Sequence, residues 1–496
     1  MSGADLRHAS EEPTLTAEQL GTVHLIGVGG VGMSGLARLL LTRGIPVTGS
    51  ELREWPALAS LRALGGTIHM DHRPSNLDGV DTVVYSTAIP ADHVELVEAR
   101  RRGLRVLHRS EALVAAMTGK LGVAVSGTHG KTTTTSMLTF VLQHAGLDPS
   151  FVIGGEIAES GGAHHGTGQH FVVEADEADR SFLRYRPHVS VITNVDADHL
   201  NTFRDLDGLT EAFGEFARTT APEGFLVTCA DDPRLVALTA QLRAEGRTVY
   251  TYGEADTADL RLDEVTSSVR GVSYTAYLDG ARLGTVTLPV PGAHLGLNSA
   301  AAVLVALKLG VDFDAVAAGL AAFPGVRRRF ELKGTAAGVR VYDEYAYHPT
   351  AIRLALETLR EVARPGRLIV VFQPFRLYRT LGLQSELAEA LAIADEVVVL
   401  EVFAPGEVRA PGEGGVALTA AIDLPPERKV FEPAWDRLPA EVAARARRGD
   451  LVVTLGAPPI SLLGEELLAA LAAAAGGDGP ADGPSAATPA PDRARS

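Results

Sequence analysis

The sequence predicts an α/β protein with three domains: a Rossmann-like N-terminal domain, a central domain built on a parallel sheet of the P-loop type, and a Rossmann-like C-terminal domain. Three observations support this prediction. Apolar runs rich in β-branched residues alternate with helical stretches along most of the 496 residues. Residues 27–32 read G-x-G-x-x-G after the first such run. A second strand, glycine turn and helix follow at residues 123–143.

Composition limits the function before any motif is considered. The formal net charge of −16 argues against a nucleic-acid partner. The single cysteine, Cys229, excludes an internal disulfide and a cysteine-rich metal site. Residues 1–20 are a polar leader without a signal peptide's apolar core, and no run of 18 apolar residues follows. We therefore expect a cytoplasmic protein that does not enter a membrane.

The N-terminal domain is predicted over residues 21–119. A strand at 23–26 leads into the G-x-G-x-x-G turn and a helix at 33–42, and a second strand at 46–51 ends in Glu51. Further strands are expected at 80–85 and 104–108. An acid about 20 residues after the glycine turn is the pattern of a dinucleotide site, so an NAD(P)-dependent dehydrogenase is one interpretation.

The central domain, predicted over residues 120–323, begins with a phosphate-binding pattern. Gly127 and Gly130 bracket a turn between a strand at 123–125 and a helix at 132–143. Glycines let the backbone approach a phosphate, Lys131 supplies a charge, and Thr132 supplies a hydroxyl for Mg²⁺. Val125 stands where G-x-x-x-x-G-K-[ST] has its first glycine, so the loop is a variant. An ordinary turn with a surface lysine is the alternative.

Two later strands of this domain, at 171–174 and 189–194, are followed by acids. Glu174 suits Mg²⁺, although solvated loop acids remain an alternative. Strand-like runs then occupy 225–228, 248–252, 272–278 and 283–288, and an Ala-rich helix that should be buried follows His294. Asn298 is either a ligand contact or a local helix cap. Residues 327–329 are three arginines, either a solvated run or anion clamps.

The C-terminal domain is predicted over residues 324–474, after a Pro-Gly hinge at 323–325. Its strands are expected at 339–343, 367–372, 396–400 and 451–455, with helices from about Thr350 and Gln384. Residues 475–496 are rich in Gly, Pro, Ala and Ser and are predicted to be a disordered tail.

The chain resembles the Mur ligases. Residues 127–133 match that family's G-T-x-G-K-T-[ST] loop, 174–177 its Glu-Ala-Asp-Glu cluster, and 194–199 its N-x-x-x-D-H element; residues 27–37 match the member that acts first in the pathway. The resemblance implies an ATP-dependent ligase that uses Mg²⁺ and joins L-alanine to UDP-N-acetylmuramate through an acyl phosphate. This reaction belongs to the synthesis of peptidoglycan precursors. Three domains would bind the UDP-sugar, ATP and the amino acid.

The resemblance also implies roles for residues at matching positions. UDP-sugar binding falls to Gly29, Gly30, Val31, Gly32, Met33, Ser50, Ser86 and Arg109. ATP binding falls to Gly127, Thr128, His129, Gly130, Lys131, Thr132, Thr133, His294, Asn298, Arg328 and Asp343. Catalytic roles fall to Lys131, His199, His348, Arg376 and Arg379, and metal binding to Thr132, Glu174 and His199.

Departures from the family pattern are concentrated in the amino-acid part, where Glu344, Tyr347, Phe375, Leu377 and Tyr378 replace usual residues. Three further departures are Glu51, Leu295 and the pair Pro458-Pro459. A paralogue that adds another amino acid or a peptide is therefore an alternative, as is a non-catalytic nucleotide-binding relative. The sequence leaves the oligomeric state open.

Overall fold

The computed structural model describes residues 15–157, 161–198 and 200–476, and the chain forms two compact units that divide between Glu331 and Leu332. The first unit contains two sheets and the second contains one, so the α/β architecture with three domains is confirmed. The predicted metal ligand His199, residues 1–14 of the leader and residues 477–496 of the tail lie outside the described residues.

The N-terminal sheet has five parallel strands in the order β3-β2-β1-β4-β5. Its strands are β1 (Val23–Ile26), β2 (Val47–Ser50), β3 (Thr67–His69), β4 (Thr82–Tyr85) and β5 (Arg105–His108). Its helices are α1 (Val31–Thr42), α2 (Pro56–Ala63), α3 (Val94–Arg102) and α4 (Arg109–Met117). All four residues of β1 are buried, as expected for a strand covered on both faces. The strand order reverses beside β1, and the glycine turn follows that strand.

The central sheet has ten strands in the order β15-β14-β13-β12-β11-β10-β6-β9-β7-β8. The strands are β6 (Leu121–Ser126), β7 (Ser150–Ile157), β8 (Gly161–His164), β9 (His170–Glu174), β10 (Val189–Ile192), β11 (Phe225–Cys229), β12 (Val249–Gly253), β13 (Leu260–Ser268), β14 (Gly271–Leu278) and β15 (Ala281–Leu288). The helices are α5 (Lys131–His144), α6 (Leu200–Phe203), α7 (Leu206–Arg218), α8 (Pro233–Ala244), α9 (Ala293–Lys308) and α10 (Phe313–Ala321).

Seven neighbouring strands of the central sheet, from β13 to β7, are parallel, while β14, β15 and β8 are antiparallel additions. Helix α9 packs against α5, and its alanines are buried, which confirms the prediction of a buried helix. Small side chains allow this close packing between the two helices. Helix α5, which follows the phosphate-binding turn, is therefore enclosed between the central sheet and α9.

The C-terminal sheet has six strands in the order β16-β17-β21-β18-β19-β20. The five neighbouring strands β17, β21, β18, β19 and β20 are parallel. The strands are β16 (Glu331–Ala336), β17 (Val339–Glu344), β18 (Leu368–Gln373), β19 (Glu396–Val399), β20 (Lys429–Phe431) and β21 (Leu451–Gly456). The helices are α11 (Pro349–Ala363), α12 (Leu377–Gly382), α13 (Gln384–Leu391), α14 (Gly415–Ala421), α15 (Leu438–Arg445) and α16 (Leu463–Gly476).

Within the described ranges, no helix is long and apolar enough to cross a membrane. Part of the leader is structured: Ala17–Leu20 is a 3₁₀ helix whose Ala17 and Leu20 are completely buried in the first unit. Phe323, in the proposed hinge, is also buried and packs edge-on against Phe140, with 5.8 Å between the ring centroids. The two units part several residues later, at Glu331.

Candidate active site

Three neighbouring parallel strands bring the predicted phosphate and metal groups to one edge of the central sheet. β6 lies between β10 and β9, with Ser126 opposite Ile192 and Val125 opposite Glu174. The three strands therefore end side by side. The glycine turn follows β6, the Glu174 cluster ends β9, and the Asn194 segment follows β10. This is the edge at which ligands bind in open α/β sheets.

The turn at residues 127–130 depends on two glycines in the left-handed region, with φ of 126° at Gly127 and 83° at Gly130. A Cβ atom at Gly127 would lie 2.1 Å from Thr193 Oγ1, and one at Gly130 would lie 2.5 Å from Asn298 Oδ1. Neither position therefore has room for a side chain. Helix α5 begins at Lys131, so its N-terminus faces the turn and favours an anion there.

The segment after β10 holds the turn in place. The backbone N–H of His129 donates to Asn194 Oδ1 at 2.8 Å, and the N–H of Thr128 donates to the Asn194 carbonyl at 3.1 Å. The His129 ring lies 2.8 Å from Asp196 Oδ2. Thr193 Oγ1 donates to the His129 carbonyl at 2.6 Å. The loop is thus fixed before any ligand arrives.

Lys131 directly follows this turn, and hydrogen-bond acceptors surround its ammonium group. It donates to the Gly127 carbonyl at 2.7 Å and to Glu177 Oε1 at 2.9 Å. Burial alone would lower the pKa of Lys131, but Glu177, Asp176 and Glu174 together raise it above its ordinary value. Lys131 therefore stays positively charged at the position where the loop would hold phosphate.

Thr132 and Glu174 form a pair of oxygen donors beside the loop. Thr132 Oγ1 donates to Glu174 Oε1 at 3.0 Å, and the Gly154 N–H donates to Glu174 Oε2 at 2.8 Å. A hydroxyl and a carboxylate are ligands that Mg²⁺ accepts, so these two residues fit the predicted metal.

The remaining predicted ATP residues of the first unit lie in helices α5 and α9 and in the segment before β16. Asn298 contacts the turn at Gly130, and Thr133 is buried in the first turn of α5. His294 lies 5.8 Å from the Phe330 ring, between centroids, and burial together with the charge of Arg329 lowers the pKa of His294 to about 4. Arg328 has a φ of 64°, and its N–H donates to Glu331 at 2.8 Å.

A second glycine turn lies at the carboxyl edge of the N-terminal sheet. Gly30 caps α1, which starts at Val31, an exposed residue, while Met33 is buried. Arg109 lies over the same turn, because a Cβ atom at Gly32 would be 3.3 Å from its guanidinium. A helix N-terminus beside an arginine is a suitable site for a diphosphate.

The other predicted UDP-sugar residues differ in their access to this turn. Gly29 donates its N–H to Glu51 Oε2 at 3.1 Å. Ser86 follows β4 and is half-buried. Ser50, in contrast, is completely buried, and its hydroxyl donates to Glu95 at 2.6 Å. The side chain of Ser50 is therefore closed off from solvent.

Hydrogen bonds join the two domains of the first unit near both glycine turns. Thr87 Oγ1, one residue after Ser86, donates to Asp179 Oδ2 at 2.6 Å. Arg184 donates to Ser110 Oγ at 3.2 Å, next to Arg109. The segment that follows the Glu174–Glu177 cluster thus contacts the strand ends of the N-terminal domain.

The second unit collects its predicted residues at the carboxyl edge of its own sheet. Asp343 is buried in β17 and accepts from Thr454 Oγ1 at 2.8 Å. His348 is buried and precedes α11. Arg376 precedes α12 with a φ of 65° and donates to Glu407 at 3.3 Å.

Arg379 is buried and lies in a group of aromatic rings. Its guanidinium is 4.8 Å from the centre of the Tyr347 ring, 5.6 Å from that of Tyr378 and 6.0 Å from that of Phe375. Those three residues are departures from the family pattern. Their rings surround the guanidinium of Arg379 at distances typical of cation–π contacts.

Several residues of the site were not assigned a role from the sequence. Glu177 pairs with Lys131, and Asn194 and Thr193 anchor the loop. Their position directly after strands β9 and β10 was a signal for all three. Glu95, in contrast, lies in a helix far along the chain from the glycine turn, and no motif marked it.

Comparison with known proteins agrees with this geometry. Three family descriptions match successive parts of the chain: "Mur ligase family, catalytic domain" at residues 22–121, "Mur ligase middle domain" at 125–306 and "Mur ligase, glutamate ligase domain" at 328–458. Together they cover most of the sequence.

Individual relatives match over nearly their full length. A protein of Salinispora arenicola named UDP-N-acetylmuramate–L-alanine ligase is 72% identical over 92% of this chain and 90% of its own; a namesake from Salinispora tropica is 69% identical over 95% and 92%. The crystal structure of UDP-N-acetylmuramate-alanine ligase MurC from Thermotoga maritima is 29% identical, covers 90% of this chain and 98% of its own, and superposes with a TM-score of 0.77. The chain belongs to the Mur ligase family.

Proposed function

We propose that this protein is an ATP-dependent ligase that joins L-alanine to UDP-N-acetylmuramate in the synthesis of peptidoglycan precursors. The observation that carries the proposal is the glycine turn at residues 127–130, which hydrogen bonds hold in place, together with the charged Lys131 at the N-terminus of α5. The choice of substrates follows the names of the Salinispora relatives, which match along almost the whole chain.

The proposed reaction has two steps. The muramoyl carboxylate attacks the γ-phosphorus of ATP, ADP leaves, and an acyl phosphate forms. The amine of L-alanine then attacks the acyl carbon, phosphate leaves with the electron pair of the broken C–O bond, and the amine loses a proton as the amide forms. Activation is needed because a free carboxylate is a poor acyl donor. The second step needs L-alanine held beside the intermediate.

The residues of the chain contribute charge and orientation. Lys131 and the N–H groups at the start of α5 stabilise the negative charge of the phosphates, in a turn that needs little rearrangement because Asn194 and Thr193 already hold it. Thr132 and Glu174 are the described residues that would hold Mg²⁺, which neutralises phosphate charge when bound. Arg109 and residues 29–32 would hold the diphosphate of the UDP-sugar, and Arg379 the carboxylate of alanine.

Phosphate release tests the proposal. Purified protein is given UDP-N-acetylmuramate, ATP, Mg²⁺ and each amino acid in turn, and release should depend on L-alanine. Equal release without any amino acid would contradict a ligase. Release with a different amino acid, or only with a peptide, would favour the paralogue interpretation and would place the specificity in the aromatic group around Arg379.

A further inference from the structure

Glu95 is a buried carboxylate in the N-terminal domain that no motif singled out. It lies in the first turn of α3 and has no exposed surface. Ser50 Oγ donates to Glu95 Oε2 at 2.6 Å, Asn76 Nδ2 donates to Oε1 at 2.8 Å, and His72 Nδ1 lies 3.1 Å from Oε2. Each carboxylate oxygen is thus occupied by a hydrogen-bonding partner.

Burial of a carboxylate is unfavourable unless such partners compensate for its lost hydration. Burial raises the pKa of Glu95, but the nearby His24 ring and the hydrogen bonds from Ser50 and Asn76 lower it by more than burial raises it, to about 2. Glu95 is therefore ionised at neutral pH and can only accept hydrogen bonds. The hydrogen of the Ser50 hydroxyl is committed to Glu95, and His72 Nδ1 lies 3.0 Å from Ser50 Oγ and 3.1 Å from Glu95 Oε2, within reach of both.

The partners of Glu95 come from separate segments of the domain. Ser50 ends β2, His72 and Asn76 lie in the segment after β3, and His24 in β1 has its Nε2 3.6 Å from Glu95 Oε1. The other ring nitrogen of His24 lies 2.7 Å from Thr48 Oγ1 in β2. One carboxylate thus ties together the central strands at the edge where the glycine turn begins.

Ser50 connects this network to the turn through its backbone. The Ser50 carbonyl accepts from the N–H groups of Gly27 at 2.9 Å and Val28 at 3.2 Å. The next residue, Glu51, accepts from the Gly29 N–H at 3.1 Å. Residues 50 and 51 therefore hold the first half of the glycine turn, and the Ser50 hydroxyl connects them to Glu95.

We propose that Glu95 is a positioning residue for the sugar nucleotide: it fixes Ser50, and through the Ser50 carbonyl it holds the glycine turn in the conformation that binds the diphosphate. This inference rests on the proposed function of the N-terminal domain. Ser50 then supports substrate binding from behind the turn without touching the substrate. Glu95 contributes no step of the chemistry. Its loss therefore weakens binding of the sugar nucleotide and leaves the rate of turnover at saturating substrate nearly unchanged.

Steady-state kinetics of the full-length enzyme tests the proposal with Glu95→Gln, which keeps the size but faces an amide N–H₂ toward donor groups. At saturating ATP and L-alanine, we expect the KM for UDP-N-acetylmuramate to rise about tenfold or more, while kcat and the KM for ATP stay within about twofold. Calorimetric titration with UDP-N-acetylmuramate alone should show the same loss of affinity without depending on turnover.

The matched control is Thr82→Val. Thr82 is equally buried in the same domain, and its hydroxyl donates to the Leu20 carbonyl at 2.6 Å, at the opposite edge of the sheet. Its KM values should match those of the parent. If replacing any buried polar side chain of this domain impaired folding, both variants would contain less active protein, and the apparent kcat of both would fall.

The outcomes separate the inference from the proposed function. If the parent neither binds nor turns over UDP-N-acetylmuramate, the proposed function fails; if the parent is active and Glu95→Gln has unchanged affinity, only the inference fails. Should Glu95→Gln not fold, His72→Gln replaces it, because the His72 side chain is 18% exposed and tolerates substitution more easily. We expect about a threefold rise in the same KM, and no rise would overturn the proposal.

Discussion

The ammonium group of Lys131 lies 2.9 Å from the carboxylate of Glu177, a residue with no exposed surface. The lysine predicted to bind phosphate is therefore already paired with a buried carboxyl group of the same sheet edge. Burial raises the pKa of Glu177, and the ammonium group of Lys131 opposes that rise. Anionic phosphates entering the turn compete with Glu177 for one positive charge.

Lys131→Ala removes the charge that compensates the transferred phosphoryl group. Losing one such electrostatic donor costs on the order of a hundredfold or more in kcat. Phosphate release at saturating substrates measures the effect. Lys308→Ala is the control, because that lysine lies over the Tyr250 ring, 3.9 Å from its centre, on another part of the domain. Turnover of Lys131→Ala within a fewfold of the parent would contradict the assignment of this loop.

Glu177→Gln leaves Lys131 without its buried counter-charge. Breaking a buried ion pair costs about 3–5 kcal/mol, so the melting temperature in the absence of ligand should fall clearly. ATP should then raise the melting temperature of this variant more than that of the parent, because its phosphates replace the missing anion. Thermal melts with and without ATP measure both effects. Equal ATP-induced shifts would show that Glu177 and ATP do not share Lys131.

His294 gives a pH dependence of stability. Its pKa falls from 6.5 in the unfolded chain to about 4 in the folded protein, so the unfolded chain binds the proton more readily. The stability that neutral His294 contributes is complete above pH 6.5 and is lost as the pH falls toward 4. The loss is at most about 3 kcal/mol.

The measurement compares unfolding of the parent and His294→Asn between pH 7 and pH 4. A difference between the two proteins is needed because burial also lowers the pKa values of His93, His108, His165 and His170. Glu95, with a pKa of about 2, adds its own loss only below about pH 4.5. Parallel curves for the two proteins above pH 4.5 would show that folding does not lower the pKa of His294.

Arg379→Lys keeps a positive charge but removes the planar guanidinium that pairs with a carboxylate through two hydrogen bonds. We expect the KM for L-alanine to rise by about tenfold or more, with the KM for ATP unchanged. Arg353→Lys is the control, since Arg353 is an exposed arginine of α11 in the same unit. An unchanged KM for L-alanine would remove Arg379 from the amino-acid site.

Much of the architecture was predictable because buried parallel strands are continuous apolar runs. β1, β6, β10 and β21 are such runs, and each was placed within a residue or two of its observed bounds. Six strands were missed, namely β3, β7, β8, β13, β16 and β20. Of these, β3 is only three residues long and has no buried residue, and β13 turns polar and exposed after Leu262. Neither strand has an apolar pattern that distinguishes it from a loop.

The local motifs of the site were visible in the sequence, whereas its connections between distant segments were not. The turn at residues 127–130 and Glu174 stand at strand ends, where spacing alone marks them. The pairing of Ser50 with Glu95, or of Thr87 with Asp179, joins residues separated by 45 and 92 positions. Sequence spacing carries no information on such pairs, because they depend on how strands and helices are arranged in space.

The contact between Gly130 and Asn298 has a consequence for how this enzyme can vary. A methyl group at residue 130 would collide with an amide oxygen carried by a helix more than 160 positions away. A saturation library at Gly130 should therefore yield no functional single substitution. Shortening residue 298 at the same time would relieve the collision but not the backbone strain at a φ of 83°. Asn298→Ala combined with Gly130→Ala should therefore remain impaired, because the left-handed backbone at residue 130 still disfavours a side chain.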